Sequence, residues 1–497
     1  MAQQKTNLTE VTSSASAGAV QQQLDDEKQV SKWTVLAIVG VGVFMATLDS
    51  SIVNISLPVI AHEFHVGLNG AVEWVIIAYL VMTAGILLSA GRLADMIGRK
   101  AVWIMGLIIF TSGSALCGAA PSLALLIAFR AFQGIGGSLL FASSPAMLTR
   151  AFPPEERGRA LGLNAVIVSL GVSVGPTLGG FLTTISWRLI FYVNVPIGVV
   201  GIIATWLLLK ERLQRNAGKF DPWGAILLAI GLITITAAIS FGEELGWTSL
   251  PIVGAIIVGL IALCILPFVE KRAANPVLDL SLFNNRVFVS ANLSLVLSFL
   301  ALFAVSFMMP FYLEQLKQYP TAEVGLLLTP LPVTIAFIAP FSGALADRIG
   351  TRWLAAGGLA IACIGLALLS QLNANSSLFD IIWRLVFTGV GQAIFQSPNN
   401  SALMGSAPRN RQGSASGFLA TGRVIGQSLS VALAGTIFAA LRGAFAGNAL
   451  VTHQYTTTVQ ALQNTFAHAF QITFLVCAAI AFIGVFTSLV RGKEALK

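Results

Sequence analysis

Apolar runs about twenty residues long, separated by short polar or Gly- and Pro-bearing links, recur along almost the whole of this sequence. A bilayer core about 30 Å thick is crossed by roughly twenty apolar residues in helical form, so each run predicts one span. The first six cover residues 34–58, 74–91, 101–120, 123–151, 160–184 and 187–209. Two more cover 222–242 and 250–269, and the last six cover 286–313, 322–342, 353–372, 378–404, 413–440 and 469–490. The pattern therefore predicts an all-α polytopic membrane protein of fourteen transmembrane helices. The first thirty residues, rich in Gln, Ser, Ala and Thr, lack the apolar core of a signal peptide and read as a disordered cytoplasmic tail.

Composition agrees with the pattern. Of 497 residues, 56% are hydrophobic and 10% charged, and the mean hydropathy is +0.82. A soluble domain carries roughly 25% charged residues, because its surface needs them. The net charge of +8 could suit nucleic acid, but the positions of the bases decide otherwise. With the N-terminus taken as cytoplasmic, the inner loops receive Arg92, Arg99, Lys100, Arg150, Arg157 and Arg159, the cluster from Lys210 to Lys219, and Lys271 and Arg272. Arg348, Arg352, Arg409, Arg411, Arg491 and Lys493 fall on the same side, while the outer loops hold Arg188, Lys317 and Arg442. Basic residues concentrate on the cytoplasmic side of membrane proteins. Both termini are thus expected inside, in a cell membrane, with the lipid bilayer and not nucleic acid as the partner.

The chain also repeats itself. Gly91-Arg-Leu-Ala-Asp95-Met-Ile-Gly98-Arg99-Lys100 recurs as Gly343-Ala-Leu-Ala-Asp347-Arg-Ile-Gly350-Thr-Arg at an offset of 252 residues, and Pro58 maps onto Pro310 at the same offset. Arg130 maps onto Arg384, and Gly158, Ala160, Gly162 and Gly171 onto Gly413, Ala415, Gly417 and Gly426. Four elements in register predict two pseudo-symmetric six-helix bundles. The domains expected are a tail at 1–30, a first bundle at 31–215, two linker helices at 216–283, and a second bundle with a short tail at 284–497. Parallel repeats of this kind bind substrate between the halves near the midplane.

Here a family resemblance becomes specific. The Gly91–Lys100 run resembles the cytoplasmic loop signature of the major facilitator superfamily. Leu48-Asp49-Ser-Ser-Ile-Val-Asn54-Ile-Ser-Leu-Pro58 resembles the first-helix signature of its fourteen-helix drug:proton antiporter branch. Arg130-Ala-Phe-Gln133-Gly134-Ile-Gly136-Gly137 is similar to the fourth-helix motif, and Gly171-Val-Ser-Val-Gly175-Pro176-Thr-Leu-Gly179-Gly180 to the fifth-helix antiporter motif. The resemblance implies a secondary active transporter, a proton-coupled antiporter exporting amphiphilic drugs or other small molecules by alternating access. A proton symporter or facilitator for a small metabolite or lipid-like solute is the alternative on the same fold. It further implies that Gly91, Asp95, Gly98, Arg99, Lys100 and Asp347 form gate loops, with Asp95 pairing to neighbouring bases while the cytoplasmic side is closed. The second copy ends in Thr351-Arg352 in place of two bases, so the Asp347 latch is expected to be the weaker.

The residues support parts of this independently. Gly91 and Gly98 permit tight turns. Gly171, Gly175 and Gly179 recur every four residues and form one smooth helical stripe, where another helix can approach closely, and Pro176 favours a kink. Ionisable groups inside spans are costly and usually functional; Asp49, Arg130, Arg384 and Arg423 stand out. Helical rise places Asp49 about 13 Å and Arg130 about 12 Å below the outer ends of their spans, so the two could pair. Burial and a neighbouring cation act on such a carboxylate in opposite senses, which suits a proton switch; the alternative is a structural pair in which Asp49 only neutralises Arg130. Arg384 lies at similar depth, but Ala301 stands where its acid would be. Gln133, one turn from Arg130, and Asn54, Gln396, Arg384 and Arg423 are the substrate-cavity candidates. One acid against three arginines suits neutral, zwitterionic or anionic amphiphiles.

Other chemistry is not legible. No phosphate-binding G-x-x-x-x-G-K-[ST] loop, no H-E-x-x-H and no Ser/His/Asp set occurs, so neither an enzyme nor an ATP-driven pump is expected. Cys117, Cys264, Cys363 and Cys477 lie in separate apolar stretches and read as small buried hydrophobes. His62 and His65 are placed in the first outer loop and His453 and His468 in the last, without metal-ligand partners. Glu243, Glu244 and Glu314 near the outside fit a solvated outer loop at least as well as a substrate vestibule. No cofactor is expected beyond protons as coupling ion, the partner is a small-molecule substrate, and the expected state is a monomer. An adaptor protein would leave no readable mark.

Overall fold

The computed structural model describes residues 31–66, 70–153, 156–209, 222–272, 280–407, 412–452 and 458–491; the predicted N-terminal tail lies outside them. The described residues form helices. In chain order these are α1 (Lys32–Glu63), α2 (Gly70–Ile97), α3 (Arg99–Ala119), α4 (Leu123–Ala151), α5 (Arg157–Ile185), the single turn α6 (Leu189–Tyr192), α7 (Asn194–Leu208), α8 (Pro222–Leu245) and α9 (Leu250–Arg272). After a 3-10 turn follow α10 (Arg286–Phe311), a π-helical turn (Tyr312–Leu316), α11 (Thr321–Leu328), α12 (Pro330–Ile349), α13 (Thr351–Leu369), α14 (Leu378–Gly405), α15 (Gln412–Ala440), α16 (Gly443–Thr452) and α17 (Val459–Leu489). Among the described residues twelve helical segments are long and apolar enough to cross a membrane, and two shorter apolar helices occupy 71–87 and 226–239. The chain is a multi-pass membrane-spanning protein. Phe337, Phe379 and Leu250 stand 70, 75 and 87% exposed, an exterior that lipid, not water, accommodates.

Polar side chains start several of these helices. Ser122, Asn285 and Thr458 each accept a backbone N–H from the first turn of α4, α10 and α17, and Ser377 forms a reciprocal capping box with Asp380 at α14. Such caps satisfy donors that a helix start leaves open. Two glycines set the turns of the sequence repeat: Gly98 (φ 101°) between α2 and α3, and Gly350 (φ 89°) between α12 and α13. Only glycine adopts that backbone cheaply. Gly91, expected to turn as well, lies within α2, because the helix continues to Ile97 and leaves a one-residue link.

The repeat extends into packing. α5 lies along α1, and α15 along α10; α3 pairs with α4, and α13 with α14. A Cβ on Gly136 would stand 2.9 Å from the Gly106 carbonyl, and one on Gly391 would stand 2.9 Å from the Gly358 carbonyl. Each pair of helices therefore crosses on facing glycines, with no room for a methyl group. α8 and α9 pack on each other, and α8 also lies against α2 and α15, where Trp74 stacks on Phe241 at 6.1 Å.

Helices run past their apolar windows. His62 is in the last turn of α1 and His468 in α17, not in loops. His453 lies outside the described residues. The span predicted at 322–342 breaks at Thr329 into α11 and α12, and that at 187–209 breaks at Val193.

Candidate functional site

α1 carries Asp49 into the middle of the first group of helices, where it is fully buried. Arg130 on α4, 1% exposed, donates from Nη1 to Asp49 Oδ2 at 2.6 Å. Two amides complete the carboxylate's shell: Gln133 Nε2 donates to Oδ1 at 2.9 Å and Asn194 Nδ2 to the same oxygen at 2.8 Å. The guanidinium is held from three further directions. Its Nε donates to the Val75 carbonyl at 2.8 Å, its Nη1 also reaches Gln133 Oε1 at 2.6 Å, and its plane lies 4.4 Å from the Tyr79 ring centroid. A buried ion pair offsets its desolvation only when the remaining donors and acceptors are matched in this way. Asn194, at the start of α7, carries no sequence signal of its own.

On the opposite face of α1, Ser50, Ser51 and Asn54 line a central cavity of about 180 Å³. Its walls come from α1, α5, α10, α11, α12, α14 and α15, and are mostly aliphatic and aromatic. Arg423 is the one charged residue lining it among the described residues, facing the amides Gln392, Gln396 and Gln427. The Arg423 Nε is buried with no hydrogen-bond partner. The structure thus separates the candidates. Asn54, Gln396 and Arg423 meet at the cavity, whereas Gln133 belongs to the charge pair behind it. Arg384 lines neither; Nη2 sits 4.0 Å from Asp380 Oδ1 one turn away, an acid the repeat comparison overlooked because it has no counterpart at Asp49.

The glycine stripe on α5 faces α1 and α11. A Cβ on Gly175 would collide with the Ser51 side chain, and one on Gly179 would stand 2.5 Å from Ile55; Ser51 Oγ donates to the Gly171 carbonyl at 3.2 Å. Gly180 would meet the Thr321 carbonyl at 2.5 Å. Pro176 lines the cavity and turns its carbonyl to Gly325 of α11, which has no space for a side chain. Beside them the Thr177 and Thr329 hydroxyls are 2.7 Å apart. α5 and α11 therefore meet without a gap beside the cavity.

At the loop end, Arg99 donates to the Ala146 carbonyl at 2.6 Å, and Lys100 to the Trp206 carbonyl at 3.1 Å and to that of Leu209. The two bases bind carbonyls near the C-terminal ends of α4 and α7, where cations are favoured. The side chains of Asp95 and Asp347 lie outside the described residues.

One buried acid escaped the sequence reading. Glu73, at the start of α2, is 2% exposed, and its Oε2 has no hydrogen-bond partner. It presses against Gly435 of α15, where a Cβ would overlap the carboxylate.

Comparison with known proteins follows the geometry. The family model of the Major Facilitator Superfamily matches residues 39–431 and 293–495. The chain is 36% identical over 410 residues to the riboflavin transporter RibZ of Clostridioides difficile, covering 82% of this chain and 88% of that protein. It is 33% identical over 407 residues to the multidrug resistance protein Stp of Mycobacterium tuberculosis, covering 82% and 75%, and 29% identical over 448 residues to the multidrug transporter MdtP of Bacillus subtilis, covering 89% and 82%. Among solved structures, a bacterial homolog of the human lysosomal transporter Spinster shares the fold at a TM-score of 0.65 with 18% identity, covering 93% of this chain and 99% of that one.

Proposed function

This chain belongs to the Major Facilitator Superfamily, and on that premise we propose that it is a proton-coupled antiporter exporting amphiphilic small molecules by alternating access. Its family and relatives are transporters, not enzymes. The observation that carries the proposal is the Asp49–Arg130 pair, buried back to back with the cavity on one turn of α1. A proton delivered to Asp49 cancels its charge and leaves Arg130 without a counter-ion, so the pair must repack. Because Ser50, Ser51 and Asn54 lie within five residues of Asp49 on the same helix, repacking changes the cavity wall. Asp49 serves as proton carrier and Arg130, Gln133 and Asn194 as its positioning groups.

Cargo binds in the central cavity between Asn54, Gln396 and Arg423, against Phe299 and Phe303. One guanidinium, three glutamines and aromatic walls favour neutral, zwitterionic or anionic amphiphiles. The α5–α11 contact is the closed outer gate and the Gly91–Lys100 turn the inner one. We assign fourteen spans, counting the two shorter apolar helices with the twelve longer segments, a first bundle at 31–215, linker helices at 216–283, and a second bundle at 284–497. Both termini face the cytoplasm, in the cell membrane, and the protein acts as a monomer without a cofactor.

Reconstitution into proteoliposomes with an imposed pH gradient and a panel of amphiphilic dyes tests this reading. Accumulation that follows the gradient without ATP is expected. Transport that survives an uncoupler but stops on ATP depletion would sink it. A second reading, a flavin-like metabolite carrier, is favoured by the 36% identity to a riboflavin transporter; riboflavin flux that is insensitive to the pH gradient would select it.

A further inference from the structure

Two cavities lie about one helical turn apart along the end of α10. Pro310 lines the central one, and Glu314 lines a second, of about 330 Å³. The second sits at the end away from the Gly91–Lys100 loop. Its walls are the last turns of α1, the π-helical turn, the Tyr319–Thr321 link and α16. Neither the charge pair nor the central cavity accounts for it.

Glu314 is the one carboxylate lining this cavity among the described residues; no Lys or Arg lines it, and His62 is its one imidazole. The Glu314 Oε1 is buried with no hydrogen-bond partner. Its neighbour Gln315, 7% exposed, also buries its side-chain oxygen without a donor. Lys317, the nearest base in sequence, is committed elsewhere: its Nζ donates to the Ala374 and Ser376 carbonyls at 2.8 and 2.9 Å. Acceptors hidden from water without donors are costly, so two adjacent ones call for a missing partner. The backbone that holds them is unusual too. The Lys317 N–H donates to the Tyr312 carbonyl five residues back, at 3.1 Å, and π-helical turns concentrate at functional sites.

We propose that this cavity is a binding subsite for the ammonium group of a small organic cation. Glu314 is the counter-charge, the Asn448 amide oxygen is a further acceptor, and the Tyr319 ring is an apolar, π-rich face. A volume of about 330 Å³ suits a small-molecule site, and a single carboxylate is too few oxygens for a hard divalent metal. Arg423 and Glu314 then offer opposite charges along one path, which suits zwitterionic cargo. That role in release rests on the exporter reading; occupancy of the cavity does not.

The test uses the full chain in phosphatidylglycerol nanodiscs, with radiolabelled benzylammonium as probe. Saturable binding is expected, displaced by ethanolammonium but not by its uncharged carbon isostere propan-1-ol. Glu314→Gln should weaken binding by about tenfold or more, while Glu323→Gln, an exposed carboxylate outside the cavity, should leave it unchanged. If Glu314→Gln does not fold, Asn448→Trp at the exposed rim should block the probe instead. A repeat in nanodiscs containing phosphatidylethanolamine assigns the natural source of the ammonium group: weaker probe binding there points to a lipid headgroup, equal binding to a free cation. No saturable binding, or equal affinity in folded Glu314→Gln and Asn448→Trp, would overturn the proposal. Because the readout is binding, a protein that binds the cation but moves no dye under a pH gradient would fault the exporter reading alone.

Discussion

Gly325 of α11 stands against the Pro176 carbonyl of α5 with no space for a Cβ. The contact joins the first and second halves of the chain at one end of the cavity, and Thr177 and Thr329 bond beside it at 2.7 Å. Gly325→Val should push the two helices apart. In a background without the native cysteines, Thr177→Cys with Thr329→Cys should cross-link readily and arrest transport; adding Gly325→Val should cut cross-linking about fivefold, roughly 1 kcal/mol of lost closure. Unchanged cross-linking would mean the contact does not hold the gate.

Asp49→Asn should keep shape and hydrogen bonding yet abolish gradient-driven accumulation, while downhill exchange survives. Arg130 loses its counter-charge, so a stability loss of about 3–5 kcal/mol is expected, read as a lower melting temperature. Adding Arg130→Gln should recover stability but not coupling. Coupled transport by a well-folded double variant in everted vesicles would remove Asp49 from the mechanism.

Asn194→Leu deletes one of the three donors to Asp49. Removing a hydrogen bond to a charged group costs about 1.5–3 kcal/mol, so a measurable fall in melting temperature is expected, with transport slowed more than cargo affinity. A variant as stable and as active as the parent would show that the other two donors suffice.

Gly175→Leu should impair transport while protein remains in the membrane, because its side chain would strike Ser51 and displace α5 from α1. Full activity in Gly175→Leu would reduce the stripe to ordinary helix packing.

Cysteines at positions 66, 247, 374 and 448 should react with an impermeant reagent from outside intact cells, and those at 155, 216 and 410 only after permeabilisation. Position 216 decides the linker: labelling it from outside would reverse α8 and α9 and break the count of fourteen.

Much of the fold was legible because each predicted span imposes its own local pattern. The apolar windows located the helices, and the Gly91–Gly98 and Gly343–Gly350 copies located matching turns. The windows fell short at His62 and His468, since a ruler set by hydrocarbon thickness does not measure how far a helix continues into the headgroups. Asp49 and Arg130 were found together because charges in apolar runs are rare and helical rise gives their depth. Asn194 and Gly325 were not, for an isolated amide or glycine in such a run marks no depth and no partner. Glu73 was overlooked because it sits at the edge of a span, where an acid ordinarily meets water; only the packing of Gly435 against it reveals burial. The π-helical turn was invisible, because a single inserted residue leaves hydropathy unchanged.

Asp49 points away from the space that Ser50, Ser51 and Asn54 border. A residue facing that space can therefore be exchanged without touching any of the three donors to the carboxylate. If the proposed function holds, selection can retool the cargo list through a handful of wall positions while the charged pair behind the wall is inherited intact. New specificities would then accumulate as wall substitutions, and lineages that diverge in cargo should still draw on the same driving force.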